Sequence, residues 1–221
     1  MRKFIKGMYQ KQNFGRRLVA VLLAVITMGF ALSWLVLVDL GTDPCTSMNL
    51  AIANLLGMSI GNWQALFNSI LFLVVIAFGR EYIGFGTLAN MFLVGYSLDF
   101  FSWLWARVLP AGFFDSMAVR IIVLFPALGI FVVAAAVYMD VELGTAPYDA
   151  MPLMFCKLQK KIPFRIVRMA YDFIIILVAV FFGAKIGIVT ILMAFTLGPV
   201  IALVGEKLSG FLGVEQSEGC A

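Results

Sequence analysis

The sequence predicts an all-α fold: a polytopic helical membrane protein made of two tandem repeats, each with three transmembrane helices and one short half-helix. Three observations carry that expectation. The 221 residues are 63% hydrophobic and only 13% charged, with a mean hydropathy of +1.03, whereas a soluble domain is about a quarter charged. Several apolar runs approach the ~20 residues that cross a bilayer as helix, and the short alternating segments of a transmembrane β-barrel do not occur. The chain also says the same thing twice. Leu40-Gly41-Thr42-Asp43-Pro44 returns 103 positions later as Leu143-Gly144-Thr145-Ala146-Pro147, and Ile83-Gly84-Phe85-Gly86-Thr87 as Ile186-Gly187-Ile188-Val189-Thr190.

Residues 1–17 form a basic N-terminus. Arg2, Lys3, Lys6, Lys11, Arg16 and Arg17 precede the first apolar run, which marks a cytoplasmic flank. The first repeat covers 18–105. Its first helix, 18–38, is too long for a signal-peptide core and is closed by no small-residue cleavage site. A mildly polar helical stretch follows over 44–56, with Gly57 as its C-terminal glycine. Helices over 62–79 and 85–105 flank a tight turn at Arg80-Glu81-Tyr82. Residues 106–117, with Pro110 and Gly112, link the repeats. The second repeat covers 118–205, with helices over 118–139, 164–182 and 186–205 and a short stretch at 147–157. A polar tail takes 206–221. Lys157, Lys160, Lys161, Arg165 and Arg168 form a second basic group, also read as cytoplasmic.

The short stretches decide the topology. About 13 residues of helix rise only ~20 Å, short of the ~30 Å hydrocarbon core. If they do not span, each repeat crosses three times and the second copy is inverted, a 3+3 arrangement. If they do span, each repeat crosses four times and the copies are parallel. Loop charges separate the two poorly, and length favours six crossings over eight.

Gly-Thr-Asp-Pro is a helix start placed among hydrophobic residues. Pro44 and Pro147 suit a first helical position, where a missing N–H costs nothing. Asp43 suits the N-cap, and Gly41 and Gly144 allow a sharp turn. Broken backbone at membrane depth is tolerated only inside protein or along a watery cavity. Two half-helices aiming their N-termini at a shared site would favour polar or anionic ligand groups; the alternative is an interfacial turn whose Asp43 only satisfies backbone. Ala146 replaces Asp43 in the second copy, and Asp149 enters the first helical turn where the first copy has Thr46.

Polar residues inside apolar runs complete the candidates. Asn68 and Asp172 lie at matching points of the two repeats, and Asp99 lies late in its helix. Ionisable groups at membrane depth are expensive and tend to serve function. Arg168 stands four residues before Asp172 and can pair with it on one helix face. The expected solute-binding residues are therefore Thr42, Asp43, Thr46, Asn68, Thr145, Asp149 and Asp172. Gly41, Pro44, Gly144, Pro147, Gly95, Gly198 and Pro199 are expected to shape turns, close packing or a kink. Thr87 and Thr190 read as helix caps, Asn90 breaks the symmetry because Met193 is its counterpart, and Trp34, Trp63, Trp103 and Trp105 read as interfacial anchors.

The chain has no histidine, which removes the usual general base and the commonest metal ligand. Cys45, Cys156 and Cys220 lack metal-ligand spacing and read as free thiols. No catalytic residue, metal or cofactor is expected, and the net charge of +4 comes from membrane flanks rather than a nucleic-acid surface.

Gly41-x-Asp43-Pro44, the Ile83-Gly84-x-Gly86-Thr87 start with Asn90, Gly95 followed by Asp99, and Gly144-x-x-Pro147-Tyr148-Asp149 together resemble the YczE/YyaS/YitT family of bacterial integral membrane proteins. The likeness covers nearly all of residues 18–205; Cys45-Thr46 departs from the aromatic-Asp pair of the second copy. The resemblance implies a bacterial cytoplasmic membrane location and little about chemistry. The residues themselves point to a secondary transporter of a small polar or anionic solute, multi-pass in the inner membrane with its N-terminus cytoplasmic. Alternatives are a non-catalytic accessory or scaffold protein, or a substrate-capturing subunit of an energised importer. Its partners would be the lipid bilayer, a solute and possible protein partners or further copies of itself.

Overall fold

The structure is a computed structural model and describes residues 14–159 and 162–196. Among the described residues all regular structure is helical: α1 Phe14–Val38, α2 Pro44–Leu56, α3 Ile60–Phe78, a 3₁₀ turn Arg80–Tyr82, α4 Phe85–Val108, α5 Met117–Asp140, α6 Pro147–Leu158 and α7 Phe164–Phe181. Residues 188–196 begin an eighth helix, α8.

Local chemistry sets the boundaries. Asp43 is extended and its Oδ1 accepts the Thr46 amide at 3.0 Å, so α2 starts at Pro44. Gly57 ends it in the left-handed region at φ 64°, which costs a glycine little. Ser59 accepts the Asn62 amide at 3.2 Å and starts α3 two residues before the apolar run alone suggests. Ala146 gives α6 no side-chain cap.

Helix directions follow from pairs at their ends. Arg17, early in α1, donates to the Val141 carbonyl just past α5 at 3.0 Å. Trp34, late in α1, meets Phe114, just before α5, at 6.0 Å between ring centroids. α1 and α5 are therefore antiparallel. α1 and α4 run parallel: Phe14 meets Phe85 at 6.4 Å, and Trp105 Nε1 donates to Ser33 Oγ at 3.0 Å. α3 returns against α4, with the Gly61 amide donating to Asp99 Oδ2 at 2.8 Å. Asp99 thus serves the start of α3.

Gly29 brings α1 against Val94 and Ser97 of α4, and Gly95 brings α4 against Gly61 and Gln64 of α3. The main core gathers Val21, Val25, Leu32 and Leu35 of α1 with Leu98 of α4 and Phe131 and Tyr138 of α5. A second cluster joins Met48 and Ile52 of α2 to Tyr148 of α6 and Ile175 and Ala179 of α7. The short helices thus pack on long ones far away in sequence, α2 on α7 and α6 on α3.

The turns before the short helices repeat their geometry. Asp39 and Glu142 have φ of 54° and 50°, and Gly41 and Gly144 have 112° and 107°. The Leu143 carbonyl accepts the Gly86 amide at 2.7 Å, and the Leu40 carbonyl accepts the Val189 amide at 3.2 Å. Beside these bonds Gly84 lies on Leu143 and Gly187 on Leu40, so closely that a Cβ on either glycine would overlap the carbonyl.

By length and composition α1, α3 and α5 suffice to cross a membrane. Outward residues such as Ile122, Phe125, Leu73, Ile174, Leu177 and Ile191 are exposed and apolar, as lipid contact requires. Trp63 and Trp105, expected as interfacial anchors, also donate inward, Trp63 to Asn49 Oδ1 at 3.1 Å. Gly198, Pro199, Cys220, the basic N-terminus over 1–13 and the tail over 206–221 lie outside the described residues.

Candidate functional site

A cavity of about 300 Å³ lies where α1 to α7 converge, at the lower end of the range for small-molecule sites. One wall is apolar, made by Met28, Leu32, Val94, Phe131 and Ala135. The starts of both short helices reach it: Asp43, Cys45 and Thr46 from α2, and Ala146, Tyr148 and Asp149 from α6. Gln64 and Asn68 add amides from adjacent turns of α3, and Asn90 adds one from α4. Arg168 of α7 is the one cation in the wall among the described residues.

Arg168 organises the α6–α7 side. Its Nη1 donates to Asp149 Oδ1 at 2.6 Å and its Nε to Asp172 Oδ2 at 3.1 Å. Tyr148 donates its hydroxyl to Asp172 Oδ1 at 2.8 Å, and the guanidinium carbon lies 5.4 Å from the Tyr148 ring centroid. Both Asp172 oxygens are therefore hydrogen-bonded, as a carboxylate buried to 2% exposure demands. Such a network fixes geometry more than it adds stability, since desolvating charges offsets most of their attraction.

The α2–α3 side is different. Asp43 is 7% exposed, Gln64 6% and Asn68 2%. Asp43 Oδ2, Gln64 Oε1 and Asn68 Oδ1 are buried without a hydrogen-bond partner. Buried polar atoms are nearly always satisfied by protein or ordered water, so such atoms of Asp43, Gln64 and Asn68 on one side of one cavity call for an explanation.

Of the residues expected from the sequence, Asp43, Thr46, Asn68 and Asp149 line this cavity. Asp172 stands behind it, bonded to Arg168 and Tyr148. Thr42 faces a separate cavity of about 490 Å³ between α1, α2 and the 183–187 segment. There it bonds Ser47 Oγ at 2.9 Å, and Ser47 lies 3.3 Å from Thr190 Oγ1. Thr145 donates its amide to the Tyr82 carbonyl at 2.9 Å and holds the turn before α6. Thr87 accepts the Gly84 amide at 2.9 Å and so caps α4, as its position predicts. Gln64 and Arg168 also line the cavity, beyond the residues the sequence predicts. Gln64 precedes Asn68 by four residues on one helix face, and that spacing was the available signal.

No group of three or more His, Cys, Asp and Glu side chains could hold a metal ion among the described residues. Cys45 is a free thiol, and the Cys156 thiol points at the Ile162 carbonyl at 3.8 Å.

A family model described as a family of unknown function, DUF6198, matches residues 15–206. The chain is 26% identical over 166 residues to a Bacillus subtilis (strain 168) protein named uncharacterized membrane protein YczE, covering 73% of this chain and 72% of that one. The resemblance read from the Gly-Pro and Ile-Gly motifs is thereby borne out. No solved structure matches the chain.

Proposed function

We propose that this chain, which belongs to the DUF6198 family, is a secondary carrier that moves a small polar solute across the bacterial cytoplasmic membrane. The observation that carries the reading is the cavity itself: it is closed by the Pro-led starts of two short helices and lined by buried polar atoms without partners. Polar groups in a membrane interior persist when they serve a pathway or a ligand.

The proposed architecture is two inverted repeats of three crossings, with α2 and α6 as half-helices. Four observations support it. α1 and α5 correspond by the 103-residue shift yet run antiparallel. The turns at Asp39–Gly41 and Glu142–Gly144 share their φ angles. The reciprocal bonds from Gly86 to Leu143 and from Val189 to Leu40 lock each turn to the other repeat. Finally, Trp105 meets Ser33 late in α1 while Asp99 meets Gly61 early in α3, so α3 starts near the end of α1, as expected of an α2 that does not cross. Both repeats then reach the cavity through equivalent parts, and rocking one against the other exposes it to alternate sides.

The test is tracer counterflow in proteoliposomes loaded with mixtures of small amines, amino acids, sugars or carboxylates. The proposal expects concentrative tracer uptake with at least one mixture, abolished by Asn68→Leu. Equal uptake in empty and protein-containing vesicles for every mixture would favour the accessory or scaffold role.

A further inference from the structure

We infer that the solute bound in this cavity carries a protonated amine, and that Asp43, Gln64 and Asn68 receive it. The inference rests on the carrier reading for the cavity's purpose, but the geometry stands without it.

The cavity is electrostatically lopsided. Arg168 has its Nε and Nη1 directed at Asp172 and Asp149, so two carboxylates already take up the one guanidinium in the wall. Asp43 is more than nine-tenths buried and has no ion pair among the described residues. Its Oδ1 serves the Thr46 amide at the helix start, which leaves Oδ2 as a free acceptor. Beside it, Gln64 Oε1 and Asn68 Oδ1 are also buried acceptors without a partner, and the Asp140 side chain adds a further carboxylate to the lining. An ammonium group, with a positive charge and three N–H donors, matches these acceptors. A carboxylate solute would instead add a charge of the same sign as Asp43 next to its buried carboxyl.

The rest of the wall selects an organic cation over a metal ion. Phe131, Tyr138, Tyr148 and Phe164 line the cavity together with Met28 and Leu32. Aromatic faces attract organic cations, and apolar side chains cover a carbon chain; neither coordinates an alkali-metal ion as oxygen does.

The experiment uses the full chain, purified in detergent and titrated at constant ionic strength with alkylammonium chlorides from methylammonium to hexylammonium. Thermal unfolding followed by tryptophan fluorescence gives apparent affinities. At least one member of the series should raise the unfolding temperature saturably. Asp43→Asn keeps an N-cap residue but removes the charge, and should weaken that affinity about tenfold or more, the cost of a charge-assisted hydrogen bond. Gln64→Leu, which leaves the cap untouched, should weaken it in the same direction, so the inference stays testable if the Asp43 variant fails to fold. Potassium butyrate and 1-butanol should produce no saturable shift. The inference is overturned if no alkylammonium binds, if both variants bind as tightly as the wild type, if butyrate or 1-butanol matches butylammonium, or if sodium chloride in place of potassium chloride gives the same Asp43-dependent shift. Ammonium binding without counterflow removes the carrier and keeps this site; Asp43-independent counterflow of an anion keeps the carrier and removes this site.

Discussion

Arg168 holds two carboxylates at once, Asp149 at 2.6 Å and Asp172 at 3.1 Å, and its loss would leave both facing a buried space. Removing one member of such a group costs about 3–5 kcal/mol. Arg168→Ala should therefore lower the unfolding temperature sharply in detergent, and adding Asp172→Asn should recover part of the loss, because the two sites share one network. Arg168→Lys keeps the charge without the fork that reaches two acceptors, and should fall between. Asp43 acts on stability through its cap. Asp43→Ala should cost about 1 kcal/mol, whereas Asp43→Asn should cost only a small part of that in the same measurement; equal losses would mean that the cap is not what Asp43 contributes. The single-residue chemistry of capping was legible in the sequence, since Asp before Pro and Gly at 57 state their own conformations. The Arg168–Asp172 pair was legible as an i,i+4 spacing, but the reach of Arg168 to Asp149 was not, because it depends on how α6 meets α7.

The turns before α2 and α6 each rest on the start of another helix distant in sequence, and two glycines make this possible. A methyl group at Gly84 would overlap the Leu143 carbonyl, and one at Gly187 the Leu40 carbonyl. Backbone atoms cannot yield as a flexible side chain can. Gly84→Ala and Gly187→Ala should each destabilise by about 1–3 kcal/mol, and by similar amounts, while Gly129→Ala meets open space on an exposed face of α5 and should be neutral or slightly stabilising. Unfolding temperatures of the three variants decide this, and a harmless Gly84→Ala would contradict the packing. At this scale the sequence read well. The short helices start at Pro44 and Pro147 as predicted, and α3 begins at Ile60 rather than 62 because Ser59 caps it. Proline, glycine and apolar run length are local signals, so the chain displays them openly. The pairing of Leu40 with Val189 and of Leu143 with Gly86 joins segments more than fifty residues apart, and no local pattern announces such a bond.

The whole molecule places an acceptor-rich cavity between elements related by the 103-residue shift, inside a bundle whose outer faces are apolar. Six crossings put residue 59 outside and residue 82 inside; eight put them the other way round. Single cysteines there, in a cysteine-free background, should react with an impermeant maleimide from the outside at 59 and from the inside at 82, and the reversed pattern would require α2 and α6 to span. The helical membrane class came from composition, and Asp43, Asn68 and Asp149, which line the cavity, from motifs and self-comparison. The cavity's charge imbalance did not, because it depends on which carboxylates Arg168 reaches and which it leaves alone. The most direct test of the central claim, a cavity between inverted repeats that opens to both faces, is the accessibility of single cysteines at 46 and 149 to an impermeant maleimide in intact cells and in inverted vesicles. The account predicts that both positions react from both sides. Reaction of both from one side only, with residue 59 reacting from the other, would contradict it.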